Sequence, residues 1–210
     1  MIVELHSHSI YSSDGHARVE QILGRAKKIG LGAIAITDHN KIQGSRKALA
    51  LAKKYNIIVI PGIEIDCKDE KGQVLAYGTK EIISGNILDV IDKIHSSGGI
   101  AVAAHPFGGL GSPAFQNKEV IKSLDAIEVF NGLAFSWQNK KSAKLAKQLK
   151  KPGTSGSDAH TLEELGTAAC RINANSADRI IRAIKKGQVV LPKKKTSTLS
   201  VITSKIKRHI

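Results

Sequence analysis

Cysteine, aromatic residues and long apolar runs are all scarce in this sequence. Two cysteines, Cys67 and Cys170, stand in 210 residues, too few for a disulfide framework and too far apart for a paired metal site. Both read as small buried apolar residues in a reducing compartment. No apolar run approaches the ~18 residues that a membrane span needs. The opening MIVELHSH has no charged segment ahead of an apolar stretch, so a cytoplasmic protein with no membrane partner is expected. A glycine fingerprint between strand and helix is also missing, which excludes a dinucleotide or P-loop reading. What remains is 41% hydrophobic and 24% charged, the balance of a globular chain rather than a basic tail or a fibrous repeat.

Acids are absent from two segments. Residues 138–151 carry six lysines, and residues 193–210 carry five lysines and an arginine. Together they hold +12 of the formal +14, leaving +2 for all the rest. Total charge is therefore no argument for nucleic acid; it describes two patches on a near-neutral body. In the first patch Lys140, Lys144, Lys147 and Lys151 follow the 4-3-4 spacing of one helix stripe, with Leu145, Ala146 and Leu149 off it. That is the pattern of a solvated face, with a phosphate-attracting surface as the alternative.

Short β-branched runs predict strands at 2–5, 33–37, 57–65, 74–77, 100–104, 126–130 and, more weakly, 153–157. Helical periodicity falls between most of them, at 19–29, 43–55, 87–96, 136–149 and 176–186. Alternating strands and helices point to a mostly parallel sheet or barrel with helices outside. The strand ends carry His6 and His8, Asp38 and His39, Glu64, His105, Asn131, and Asp158 with His160. Steps from His8 through His39, Glu64, His105, Asn131 and Asp158 are 31, 25, 41, 26 and 27 residues, mostly one strand-plus-helix unit each. The step of 41 contains the extra run 74–77, read as an inserted strand.

Because parallel strands open their C-terminal ends onto one face, polar residues scattered at those ends converge in space. Five histidines (His6, His8, His39, His105, His160) and three carboxylates (Asp14, Glu64, Asp158) make a set suited to Zn, Mn or Fe. His6-x-His8 and Asp158-x-His160 each direct two side chains to one side, since strand side chains alternate. Eight ligands exceed one ion, which implies two or three divalent ions (Mn, Zn, Fe or Mg) with Glu64 as a bridge. Asp38 either orients a ligand or begins the next loop. Asn131 reads equally as a weak ligand, a substrate contact or a turn residue. Lys41 is a candidate phosphate clamp or a surface lysine. The glycine-rich stretch after His105-Pro106-Phe107 suits a lid or substrate loop.

His6-Ser-His8, Ser13-Asp14-Gly15, Thr37-Asp38-His39-Asn40, Gly62-Ile-Glu64, Ala104-His105-Pro106, Glu128-Val-Phe-Asn131 and Gly156-Ser-Asp158-Ala-His160 resemble, in order, the motifs of the PHP superfamily, named for polymerase and histidinol phosphatase. The resemblance implies a distorted (β/α)7 TIM-like barrel over residues 1–191, followed by a basic extension over 192–210. It also implies a metal cleft at the strand C-termini: His6, His8, Glu64 and Asp158 on one ion, Glu64 and His105 on a second, and Asp14, His39 and His160 on a third. Some members carry histidine where this chain has Asp14 and Asn131, and the Ser-Asp-Gly form resembles the short nucleotide-phosphatase branch.

The leading expectation is a metal-dependent phosphoesterase in which a metal-bound hydroxide hydrolyses a phosphomonoester of a small metabolite or nucleotide. Glu64 would bridge the ions, and His39 and His160 would serve the leaving oxygen. The alternatives are an exonuclease or phosphodiesterase acting on RNA or DNA ends, a non-catalytic nucleic-acid-binding subunit, and a histidinol-phosphate phosphatase. Nucleic acid ranks lower because the helix stripes of a barrel usually face sideways, away from its mouth. Oligomeric state is not legible.

Overall fold

The computed structural model describes residues 1–109 and 111–193; the basic run 194–210 and Leu110 lie outside the described residues. Its strands are β1 (Ile2–Glu4), β2 (Ala33–Ile36), β3 (Ile58–Asp66), β4 (Gln73–Tyr77), β5 (Ile100–Ala103), β6 (Ala126–Asn131), β7 (Gly153–Gly156), β8 (Cys170–Ile172) and β9 (Val189–Val190). The helices are α1 (Val19–Lys28), α2 (Gln43–Tyr55), α3 (Ile87–Ser96), α4 (Ser136–Leu149) and α5 (Ala177–Lys185). All seven strands and five helices expected from pattern are present. β8 and β9 are additions, too short for their alternation to register in sequence.

One sheet runs in the order β7-β6-β5-β4-β3-β2-β1-β8-β9. β1, β2 and β3 pair in parallel, as do β5, β6 and β7, while β4 is antiparallel to both its neighbours. The inserted strand is thus an integral stave that joins two parallel halves. The ends meet at the mouth: Ser7 bridges Ala159, with His8 N donating to Ala159 O at 2.7 Å and Ala159 N to His6 O at 3.3 Å. Lower down, β8 lies antiparallel along β1. The result is a distorted, nearly closed barrel.

Period-two patterning assigns the faces. In β2, Ala33 and Ala35 join one cluster, while Ile34 and Ile36 join another that contains Val19, Leu23 and Ala48 from α1 and α2. β4 and β5 divide likewise, with Leu75, Tyr77, Val102 and Ala104 inside and Val74, Ala76, Ala101 and Ala103 toward α3 and α4. The inner cluster is completed by Ile180, Ile181, Ala183 and Ile184 of α5. This helix therefore closes the base of the barrel rather than its flank, and polar chemistry is left to the other end. Ser176 Oγ caps it by accepting from Arg179 N at 3.3 Å. Cys67 and Cys170 are free and buried, as expected.

Candidate metal centre

The mouth is built by strands that turn sharply as they end. Three non-glycine residues there hold positive φ: Asn40 (53°), His105 (23°) and Asp158 (54°). Such backbone costs about 1–3 kcal/mol per residue and clusters at functional sites. Here it turns the His105 and Asp158 side chains into the cleft instead of letting strand alternation carry them past it.

Glu64, buried at the end of β3, is the hub. Its Oε2 lies 3.2 Å from His6 Nε2, 3.2 Å from His39 Nδ1 and 3.4 Å from His8 Nε2, while Oε1 lies 3.2 Å from His105 Nε2. Asp158 Oδ1 approaches His8 Nε2 at 3.2 Å and His6 Nε2 at 3.4 Å. At the rim, Asp14 Oδ2 lies 3.0 Å from His160 Nε2 and 3.5 Å from His39 Nε2. All eight expected ligands are thus brought together. Three groups have donor atoms within 4.8 Å of one another and could each hold an ion: His6, His8 and Asp158; His6, His105 and Glu128; and His8, Asp14, His39 and His160.

Two observations fit divalent metals to these residues. His105 Nδ1 is buried without a hydrogen-bond partner among the described residues, an arrangement costly for imidazole nitrogen unless something else engages it. Among the described residues no lysine or arginine is buried, so Glu64, Glu128 and Asp158 have no fixed side-chain cation beside them. The carboxylates consequently pull on imidazole protons. Burial would lower His6, but Glu64, Asp158 and Glu128 outweigh it and raise it well above the ordinary value. The same opposition, against Glu64 and Asp14, leaves His39 raised to about 9. Burial would raise Glu64, yet His6 and His39 hold it well below the usual carboxylate range. His8 goes the other way: burial, with His160 beside it, pushes it down to about 3, so its lone pairs stay available for ligation.

A supporting layer fixes these groups. Glu128 Oε1 is 3.0 Å from His6 Nδ1, and Oε2 accepts from His105 N at 2.9 Å. Asn131 is fully buried; its Nδ2 donates to Glu128 Oε2 at 2.9 Å and Asp158 Oδ2 at 3.3 Å, and its Oδ1 accepts from Leu133 N at 2.8 Å. Glu4, also fully buried, accepts from His6 N (3.0 Å), Ser157 N (2.8 Å), Gly166 N (3.1 Å) and Ser157 Oγ. It therefore ties β1 to the loop carrying Asp158. Asp38 accepts from Ser9 N at 2.6 Å and from Ser9 Oγ, which fastens the loop after His8. A Cβ on Gly156 would overlap His6 Cβ, so only glycine lets β7 pass this close. Lys41 is exposed on the loop after His39. Behind His105, Gly108 N donates to His105 O at 2.6 Å and Phe107 pairs with Ala114.

A profile of the PHP domain matches residues 4–188. The chain belongs to the PHP domain family. Among curated proteins, it is 32% identical over 143 residues to the uncharacterized protein MJ1587 of Methanocaldococcus jannaschii, covering 62% of this chain and 82% of that one. It is 35% identical over 85 residues to phosphoribosyl 1,2-cyclic phosphate 1,2-diphosphodiesterase of Eggerthella lenta, over 39% of this chain and only 32% of that enzyme. In fold it matches a two-domain protein from Bacteroides vulgatus containing a predicted PHP-like metal-dependent phosphoesterase. The TM-score is 0.76 at 15% identity, over 99% of this chain and 69% of that one.

Two functional residues of this PHP barrel escape the sequence reading as site residues, Glu4 and Glu128. Each is an acid inside an otherwise apolar strand, and Glu4 sits two residues before His6 on the same alternating side. That mismatch was the available signal, since a buried charge must be partnered.

Proposed function

We propose that the chain is a metal-dependent phosphoesterase that hydrolyses a phosphomonoester of a small metabolite or nucleotide, with two or three divalent ions held by His6, His8, Asp14, His39, Glu64, His105, Asp158 and His160. The observation that carries the reading is Glu64, one buried carboxylate within 3.4 Å of four imidazoles that belong to all three donor groups. Ions so placed would supply a nucleophilic water near neutral pH and neutralise the charge that develops on phosphoryl oxygen. The protein's part is positioning. Glu64 sets the separation between neighbouring donor groups, and Glu128 with Asn131 fixes the orientation of His6 and Asp158. Asp14, His39 and His160, grouped at the partly open rim, would hold an ion whose bound water would supply the proton for the leaving oxygen. Lys41 contributes an ammonium to phosphate binding.

The resemblance to a cyclic-phosphate diphosphodiesterase supports phosphoester hydrolysis as the reaction class. Aryl phosphate, phosphomonoester metabolites and mononucleotides assayed with Mn, Zn and Mg test the proposal. Metal-dependent release of phosphate is expected. Wild-type protein inert on every substrate with every ion would overturn it.

A further inference from the structure

The basic stripe of α4 does not begin as a featureless solvated face. Its first turn carries Trp137, the chain's only tryptophan, 54% exposed and six residues beyond Asn131 at the mouth. Lys141 Nζ stands 4.8 Å from the centre of that ring and 5.9 Å from the Phe107 ring, while Lys118 Nζ stands 4.9 Å from Phe107. Phe107 lies two residues past His105. Gln138 fastens it to α4, donating from Nε2 to Phe107 O at 3.0 Å while its Oε1 accepts from Phe135 N at 2.8 Å. Two aromatic rings and two ammonium groups from three separate segments therefore form one cluster beside the metal cleft.

From this cluster the helix leads away in one sign of charge. Trp137, Lys141 and Lys144 share a stripe at i, i+4 and i+7, with Lys140 and Lys147 flanking it, and all five are exposed. Trp137 to Lys147 spans about 15 Å of helix axis. Among the described residues three lysines pair with acids, Lys47 with Glu20, Lys122 with Glu119 and Lys185 with Asp125. Among the described residues Lys118, Lys140, Lys141, Lys144 and Lys147 have no carboxylate partner, and residues 136–151 contain no acid. A face serving solubility alone intersperses both signs.

We propose that Phe107, Trp137 and the lysines around them form a binding surface for single-stranded nucleic acid, which leads a strand end into the metal cleft. Flat aromatic faces stack on any base, and an uncompensated row of ammonium groups follows the phosphates. An acidic protein would use the charge and leave the rings without a purpose; duplex would hide its base faces. Strand binding stands on this surface alone. Making the strand end a substrate rests on the phosphoesterase reading above, and extends its nucleotide substrates to the terminal phosphate of an oligonucleotide.

Because Trp137 is the sole tryptophan, its emission reports occupancy. Full-length, Mn-loaded protein is titrated with a hydrolysis-resistant 2′-O-methyl phosphorothioate strand of about a dozen residues, the same strand as duplex, and polyglutamate. Saturable quenching by the single strand is expected, with log affinity falling by about 0.7 per lysine–phosphate contact as log salt rises. By anisotropy of a labelled strand, Trp137→Ala should weaken binding about tenfold and Trp137→Phe less. Changing Lys140, Lys141 and Lys144 together to Gln should flatten the salt slope by about 2. No quenching, an unchanged slope, or equal quenching by duplex or polyglutamate overturns the surface. Aryl phosphate turnover without strand binding would remove this proposal and keep the hydrolase; strand binding without turnover of any phosphoester would do the reverse.

Discussion

The deep and the outer halves of the cleft use the same ligand chemistry in opposite settings. His6, Glu64, His105 and Asp158 are buried, and Glu4, Glu128 and Asn131 hold their backbone or side chains from behind. At the rim the Asp14 side chain is 45% exposed and that of His39 22%, and among the described residues the Asp14 carboxylate pairs with the two imidazoles it would share an ion with. Burial makes each deep carboxylate costly without a cation and each imidazole rigid, whereas solvent at the rim can replace a ligand. On the proposed function the deep half would retain its ions, and the rim would hold one that exchanges or is completed by substrate.

The largest expected effect comes from breaking the deep half. His8→Ala or Asp158→Ala should lower aryl phosphate hydrolysis by about 10³-fold or more while circular dichroism stays native; activity near wild type in either would remove the hydrolase assignment. Gly156→Ala should follow, because its methyl overlaps His6 Cβ and crowds Glu128. We expect about 1–3 kcal/mol lost in urea unfolding together with most metal binding, measured by calorimetry. Glu128→Gln, which keeps the volume but weakens the grip on His6 and His105, should reduce metal affinity about 10–100-fold. The smallest change belongs to the rim. Asp14→Asn should cost about one ion per chain in elemental analysis after dialysis and leave the deep ions in place. A brief exposure to a weak chelator should do the same to wild type. Simultaneous loss of every ion in either experiment would erase the distinction between the halves.

The division between halves was only partly legible in the sequence. Seven of the eight proposed ligands sit at or just beyond a strand end, where period and spacing can locate them, while Asp14 lies in the loop between β1 and α1; the strands themselves were readable because Ala33-Ile-Ala-Ile36 and its counterparts are short runs rich in β-branched residues. Glu4 and Glu128 were harder. Both lie within strands, and their role depends on which backbone N–H groups surround them, Ser157 and Gly166 for one and His105 for the other. Those partners are 23 to 162 residues away along the chain. Asn131 shows the same limit: three readings were open until its amide was seen turned to Glu128 and Asp158.

By itself the sequence determined the order of the first seven strands and of the five helices and the identity of the clustered imidazoles and carboxylates, because those follow from local periodicity and from residues at element ends, and the family followed from the resemblance of the motifs those residues form. Tertiary structure decided the rest. Closure of Ser7 on Ala159 sets the two histidine-bearing ends of the chain side by side, α5 turns inward to seal the base, and Phe107 comes beneath Lys118 and Lys141 next to Trp137. Apart from Lys141 over Trp137 within α4, these contacts join segments distant along the chain, brought together where a barrel carries its strand ends round to meet.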